Sequence, residues 1–175
     1  MLRIGKEAPS FKLNATVEGG EFKEISLADY KGKWVVLFFY PLDFTFVCPT
    51  EIQAFNDALG QFQELGAEVI GASVDSVFSH KAWYENGLGD IKFPILSDFK
   101  KELSVDYGVL NEDLGAAFRG TFFIDPDGIL RSYSINDLNV GRSIKETLRL
   151  LQAFQISRET GDNVPCEWNP GEATL

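Results

Sequence analysis

The sequence predicts an α/β fold in which helices flank a mixed central sheet. Apolar runs suited to buried strands alternate with segments of helical period through the middle of the chain. A turn-forming Asp-Pro-Asp-Gly stretch at 125–128 joins two further β runs. The chain has 175 residues, of which 45% are hydrophobic, so we expect one compact domain with a sizeable core.

The first predicted strand and helix follow one another between residues 33 and 66. Lys33–Pro41 reads KWVVLFFYP, a β-branched and aromatic run typical of a strand buried on both faces. After Pro49, apolar residues recur at three- and four-residue steps, at Ile52, Phe55, Leu59 and Phe62. This period predicts one amphipathic helix that ends at Gly66.

The elements that follow are shorter. A buried strand, a short helix and a brief extended piece are predicted at Ala67–Asp75, Ser76–Asn86 and Phe93–Leu96. The next stretch, SDFKKELSVDYG, indicates a helix that Ser97 or Asp98 caps and Gly108 terminates.

The last third of the chain predicts a hairpin, a helix and an arm. Arg119–Ile135 holds the two β runs that the turn joins. Ser143 and Glu146 stand at capping-box spacing and open a helix. Its apolar stripe is formed by Ile144, Leu148, Leu151 and either Phe154 or Gln155. From Ser157 the sequence is polar, aperiodic and rich in glycine and proline, which indicates an arm outside the core.

This order of elements fits a thioredoxin-like arrangement. We therefore expect a thioredoxin-like domain at 1–156 and a mobile C-terminal arm at 157–175.

The charge balance excludes several classes of partner. Sixteen Lys and Arg against 26 Asp and Glu give a net charge of -10, which repels nucleic acid and anionic membranes. The chain shows neither a signal-peptide pattern nor an apolar run of about 18 residues, so a soluble, cytoplasmic protein is expected. His80 is the only histidine, and neither cysteine has further ligands at metal-site spacing, so no metal or cofactor is expected.

Cys48 stands where the first strand has ended and the first helix begins. Pro49 follows it, at a position where a missing N–H costs nothing. The free N–H groups and the positive dipole end of a helix favour an anion, so a thiol placed there is expected to be a reactive thiolate. The alternative is that Cys48 is an inert, buried apolar residue.

Cys166 lies 166 − 48 = 118 residues away, in the predicted arm. A dithiol oxidoreductase would place a second cysteine at position 51, where this chain has Glu51. A sulfenic acid on Cys48 needs a second thiol that can reach it, and Cys166 is the only other one. An incidental surface thiol is the alternative for Cys166.

Five motifs together carry a family resemblance. They are PLDFTFVCPTE (41–51), HKAW (80–83), RGTFFIDPDG (119–128), VGRSIKETLRLLQAF (140–154) and VPCEW (164–168). The chain from about Ala8 to Leu175 resembles a typical two-cysteine peroxiredoxin, an antioxidant peroxidase. It looks most like the peroxidase component of bacterial alkyl hydroperoxide reductase.

The resemblance implies a role for four residues of the first motif and for two distant residues. Cys48 is implied to be the peroxidatic cysteine, and Cys166 the resolving cysteine, acting from the partner subunit in an intersubunit disulfide. The implied substrate contacts are Thr45 as a hydroxyl partner of the peroxide, Pro41 and Pro49 as pocket walls, and Arg119 as the cation beside the thiolate.

Three further polar residues have two interpretations each. Arg142 is either a second cation near the site, as in the family, or a solvated residue ahead of a helix. Glu51 either joins the pocket network or caps its helix. His80 is a general base or, more simply, a packed or surface histidine, since the thiolate already exists without a base.

The resemblance also implies partners. We expect a homodimer, with a decamer of five dimers as the larger assembly, and a thioredoxin-like protein or a flavoprotein disulfide reductase as electron donor. A general thiol–disulfide exchange protein and a ring-forming chaperone are the competing functions. Glu51 disfavours the first, and the second gives no reason for Thr45, Arg119 and Cys166 to occur together.

Overall fold

The computed structural model describes residues 2–175, which form two compact units. The first unit extends to Arg142 and contains the central sheet, and the second runs from Ser143 to Leu175. The sheet has seven strands in the order β2-β1-β5-β4-β3-β8-β9. These strands are β1 (Lys12–Thr16), β2 (Phe22–Ser26), β3 (Trp34–Phe39), β4 (Ala67–Ser73), β5 (Ile95–Ser97), β8 (Arg119–Ile124) and β9 (Leu130–Asn136).

The strand directions are mixed, as the sequence predicts. The central pair β3 and β4 is parallel, and so is the pair β4 and β5. The hairpin of β8 and β9 joins the sheet antiparallel to β3, and β1 and β2 are antiparallel on the other side. The α/β thioredoxin-like fold with a mixed central sheet and flanking helices is therefore confirmed.

β3 is buried along its whole length, so its alternating side chains pack in the core on both faces of the sheet. Leu37 and Phe39 belong to one hydrophobic cluster, which includes Tyr107 after helix α4 (Glu102–Asp106). Phe38, pointing to the opposite face, stacks on Phe55 of helix α1 (Cys48–Asp57) with ring centroids 4.2 Å apart. The alternation of this one strand thus fixes α1 on one face of the sheet.

The prediction of one continuous helix from Pro49 to Gly66 is wrong. α1 ends at Asp57, and a second helix, α2 (Leu59–Glu64), follows it. Ala58 between them has φ −89° and ψ 0°, which departs from regular helical angles. The start at Cys48 is confirmed.

Helix α3 (Val77–Trp83) begins where the sequence predicts, since the Ser76 hydroxyl accepts from the N–H of Ser79. It stops three residues early, and a single wide turn, Tyr84–Leu88, follows.

Helix α4 begins later than predicted. Its cap position is Lys101, which has φ +65°, and neither Ser97 nor Asp98 occupies it. Asp98 still bonds the free N–H groups at the helix start, because its carboxylate accepts from the N–H groups of Leu103 and Ser104 at 3.0 and 2.7 Å.

Two hairpins lie outside the sequence-based predictions. β1 and β2 form the first, and β6 (Leu110–Asn111) and β7 (Ala116–Ala117) form the second. These strands are short, and all except β7 are only partly buried, so they lack the long apolar runs that mark β3 and β4.

The second unit consists of helix α5 (Ile144–Thr160) and an irregular segment. Ser143 caps α5 by accepting from the Glu146 N–H, as predicted. The helix passes the expected boundary at 156 and ends at Thr160, where Gly161, with φ +78°, forms the C-cap. The division into a domain at 1–156 and a mobile arm at 157–175 stays a prediction.

Within residues 2–175, no helix combines the length and apolarity that a membrane crossing needs. The same residues hold no group of three or more His, Cys, Asp or Glu placed to bind a metal ion.

Candidate active site

Cys48 is the first residue of α1, at the end of the loop that leaves β3. Its side chain is fully buried, and Pro49 takes the next position in the helix. The carbonyl of Val47 accepts from the N–H groups of Thr50 and Glu51, so the first helical hydrogen bonds close directly behind the thiol. The sulfur therefore lies at the positive end of the helix, where an anion is stabilised.

Arg119 brings a cation to this sulfur. It is the first residue of β8, and the antiparallel register that pairs Phe38 with Thr121 places it beside the end of β3. Its Nη1 lies 3.3 Å from Cys48 Sγ, and its Nε donates to the Leu138 carbonyl at 2.7 Å. Arg119 is only 4% exposed, so little solvent screens its charge from the sulfur.

Glu51 holds both arginines of the site. Its Oε2 accepts from Arg119 Nη1 and from Arg142 Nη2, each at 2.8 Å. Its Oε1 accepts from the backbone N–H and the Nε of Arg142, each at 2.9 Å. Glu51 therefore bridges Arg119 and Arg142 through four hydrogen bonds, and capping the helix is not its main contact.

This network keeps the Glu51 carboxylate ionised. Burial alone would raise the pKa of Glu51, but the hydrogen bonds and charge of Arg142, assisted by Arg119, hold that pKa below its usual value. Arg142 also donates to the Gly120 carbonyl at 2.8 Å, and its guanidinium lies 5.0 Å from the Phe38 ring centroid. The solvated interpretation of Arg142 is therefore wrong, since its side chain is 4% exposed.

Thr45 and the two prolines lie on the same loop and helix start. Thr45 is partly buried, and its hydroxyl donates to the Leu42 carbonyl at 2.9 Å. Among residues 2–175, no hydrogen bond joins this hydroxyl to the Cys48 sulfur. Pro41 is buried at the start of the loop, and Pro49 is partly exposed.

Cys166 is an exposed free thiol in the second unit. It lies at a turn in which Glu167 has φ +60° and the Trp168 N–H donates to the Pro165 carbonyl. Trp168 is buried, and its own carbonyl accepts from Arg149 Nη1 at 2.7 Å. The resolving thiol implied by the family resemblance is thus accessible on a hydrogen-bonded loop.

Comparison with known proteins decides the family. The family model described as AhpC/TSA matches residues 4–133. A peroxiredoxin of Cynops pyrrhogaster is 57% identical over 178 aligned residues, which cover 99% of this chain and 89% of the relative. This chain is a two-cysteine peroxiredoxin of the AhpC/TSA family. It is accordingly a thiol peroxidase that uses a peroxidatic and a resolving cysteine.

Solved structures agree with this assignment. The reduced two-cysteine peroxiredoxin of Plasmodium vivax has a TM-score of 0.97 at 42% identity, covering 99% of this chain and 93% of that one. AhpC of Enterococcus faecalis has a TM-score of 0.90 at 41% identity, covering 95% of this chain and all of that one. The resemblance to bacterial AhpC is thus real, and the animal relative above is more similar in sequence.

Sequence reasoning missed the partners that hold this peroxiredoxin's site residues in place. The Leu138 carbonyl and the Phe38 ring carry no chemical signature that would mark them. His80 is a packed histidine, fully buried and hydrogen-bonded to Asp43. Phe44, in the loop before Cys48, is 55% exposed.

Proposed function

We propose that this peroxiredoxin reduces hydrogen peroxide and organic hydroperoxides through a sulfenic acid on Cys48, which Cys166 of the partner subunit resolves. One observation carries the proposal: the guanidinium of Arg119 lies 3.3 Å from a sulfur buried at the start of α1. A buried cation and a helix terminus both favour the thiolate, which is the nucleophilic form.

The first step oxidises Cys48. The thiolate attacks one peroxide oxygen as the O–O bond breaks, so the sulfur becomes a sulfenic acid. The second oxygen departs with the bonding electrons and takes a proton from solvent, which gives water or an alcohol. Arg119 is already positioned beside the developing negative charge, because Glu51 and the Leu138 carbonyl hold its guanidinium.

Thr45 is suited to bind the peroxide as an acceptor. Its hydrogen is engaged with the Leu42 carbonyl, so the lone pairs of its oxygen remain available for a peroxide O–H. Pro41 and Pro49 have no backbone N–H group that could bond the Thr45 oxygen in place of the peroxide. They are therefore suited to be apolar walls of the pocket. Arg142 acts through Glu51 by fixing the carboxylate that orients Arg119.

The second step forms a disulfide. The thiol of Cys166 attacks the sulfenic sulfur of Cys48, the S–S bond forms and water leaves. An external dithiol, from a thioredoxin-like protein or a flavoprotein disulfide reductase, then gives two electrons and two protons to restore both thiols. The exposure of Cys166 supports its access to a partner subunit and to such a reductant.

A homodimer follows from resolution by the partner subunit, and a decamer of five dimers is the larger assembly we propose. Cytoplasmic localisation stays a prediction.

The test is peroxide consumption coupled to a dithiol, measured on the wild type and on two variants. Cys48→Ser should abolish turnover and prevent trapping of a sulfenic acid by a dimedone probe. Cys166→Ser should still form one equivalent of sulfenic acid but give no cross-linked dimer on a non-reducing gel. Peroxide turnover by Cys48→Ser would overturn the assignment of the peroxidatic thiol.

Mixing the two variants tests where the resolving thiol comes from. In a mixed dimer, Cys48→Ser supplies Cys166 and Cys166→Ser supplies Cys48, so an intersubunit disulfide can form after peroxide is added. Neither variant alone should cross-link. If the mixture also fails to cross-link while exchange of subunits is demonstrated by light scattering of tagged chains, resolution across subunits is wrong.

A further inference from the structure

A buried polar cluster lies under the loop that precedes Cys48. Its centre is the carboxylate of Asp43, whose side chain is 1% exposed. Tyr40 Oη donates to Asp43 Oδ1 at 2.7 Å, and Ser79 Oγ donates to Oδ2 at 2.7 Å. His80 Nδ1 lies 2.8 Å from the same Oδ2. One loop carboxylate is thus held from the end of β3 and from helix α3.

The ring of His80 links this carboxylate to the sheet. Its Nδ1 faces the Asp43 carboxylate, and its Nε2 faces the Leu96 carbonyl at 3.2 Å. His80 and Asp43 therefore form a fully buried, hydrogen-bonded pair.

The backbone of Asp43 is held as well. Its N–H donates to Asp75 Oδ2 at 2.9 Å, and the Ser73 hydroxyl donates to the same oxygen at 2.8 Å. Burial, together with the nearby Asp43 carboxylate, raises the pKa of Asp75. Asp43 is therefore fixed through both its side chain and its main chain.

The next residue explains why such an anchor is needed. Phe44 has φ +56°, a conformation that costs a side-chain-bearing residue roughly 1 kcal/mol or more. Burial offsets only part of this cost, because Phe44 is 55% exposed and its ring contact with Trp83 has 5.7 Å between the centroids. Without the contacts of Asp43, the loop would relax toward ordinary backbone angles. Thr45 follows Phe44 directly and would move with it.

We propose that Asp43 and His80 are positioning residues for the peroxidase reaction. Their buried pair holds the strained loop so that the Thr45 hydroxyl faces a peroxide at Cys48. This inference rests on the proposed roles of Thr45 and Cys48. It separates two properties of the site, since the thiolate depends on Arg119 and the start of α1, whereas alignment of the peroxide depends on the loop.

The test compares two reagents on the same thiol. His80→Leu removes the donor to Asp43, whereas His80→Asn offers an amide N–H close to the position of Nδ1. His80→Leu should slow oxidation of Cys48 by hydrogen peroxide about 10- to 100-fold, the loss typical of a small misplacement. Alkylation by iodoacetamide, which needs the thiolate but no aligned peroxide, should change less than about threefold. His80→Asn should recover most of the peroxide rate.

A second change tests the strain directly. Asn tolerates a positive φ better than Phe, so Phe44→Asn in the His80→Leu background should restore part of the peroxide rate. Phe46→Asn is the matched control, because Phe46 is not among the residues with positive φ and should restore nothing. Equal effects of the two changes would overturn the role of strain.

Ser79→Ala covers the case in which His80→Leu does not fold. It removes one hydrogen bond to Asp43, whose carboxylate keeps its contacts with Tyr40 and His80. It should lower the peroxide rate in the same selective way, though less strongly. If the wild type reacts rapidly with peroxide but both variants lose peroxide and iodoacetamide reactivity equally, or lose neither, the positioning role is wrong. If peroxide does not oxidise Cys48 in the wild type, the proposed function itself fails.

Discussion

Replacing Glu51 by glutamine should destabilise this peroxiredoxin strongly. Both carboxylate oxygens accept two hydrogen bonds, all of them from Arg119 or Arg142. A glutamine side chain keeps one acceptor oxygen and turns the other into an NH₂ group. That NH₂ group would face two N–H donors of the arginines, so the two hydrogen bonds that the replaced oxygen accepts would be lost. The two arginine charges would also lose their neutralising carboxylate.

The burial of the pair sets the magnitude. The side chains of Glu51 and Arg142 are 3% and 4% exposed, so water cannot replace the lost contacts. Removing one partner of a buried ion pair typically costs about 3–5 kcal/mol. For a chain of this size, such a loss corresponds to a fall in melting temperature of roughly 10 °C.

Chemical denaturation at neutral pH measures the effect, and a matched pair provides the control. Glu146 makes a similar two-bond contact with Arg149, but their side chains are 49% and 26% exposed. Glu146→Gln should therefore cost less than about 1 kcal/mol. Equal losses of unfolding free energy in the two variants would refute the argument from burial.

The pH dependence gives an independent check. Because the arginines hold the pKa of Glu51 below its ordinary 4.5, the stabilisation from the carboxylate is fully present above pH 4.5. It is lost as the pH falls through the lowered pKa. The stability difference between the wild type and Glu51→Gln should therefore shrink in acid, and a constant difference across this range would contradict the linkage.

Two further predictions concern the scaffold. Gly120→Ala would place a methyl group 2.7 Å from Val109 Cγ1 and should cost about 1–3 kcal/mol. Gly60→Ala in α2 meets nothing within 4 Å and should be neutral or stabilising by up to about 1 kcal/mol, so equal denaturation midpoints would contradict the packing argument. Asp125→Asn should lower thermal stability at neutral pH, because Asp125 accepts from Arg131 Nε at 2.6 Å. Burial opposes ionisation of Asp125, but its hydrogen bonds hold its pKa below 3.8, so this loss should fade as the pH falls through that lowered pKa.

The sequence by itself determined the secondary-structure elements that follow from a short stretch of residues. The apolar runs of β3 and β4 force burial on both faces, and the Asp-Pro-Asp-Gly turn closes the β8–β9 hairpin within a few residues. The start of α1 at Cys48 follows from Pro49 and the helical period after it. The five motifs that carry the family resemblance are likewise each contiguous in the chain, so they can be read without the tertiary structure.

Only the tertiary structure decided which side chains meet at the thiol. Arg119 and Glu51 are 68 residues apart, and Arg142 lies 91 residues from Glu51, so the register of β8 against β3 must form before they can touch. The same holds for His80, whose sequence neighbourhood gives no sign of a buried partner in the loop. Local patterns report backbone conformation and burial, whereas contacts between distant charges depend on how the strands pair, and that pairing is set by the packing of the whole core.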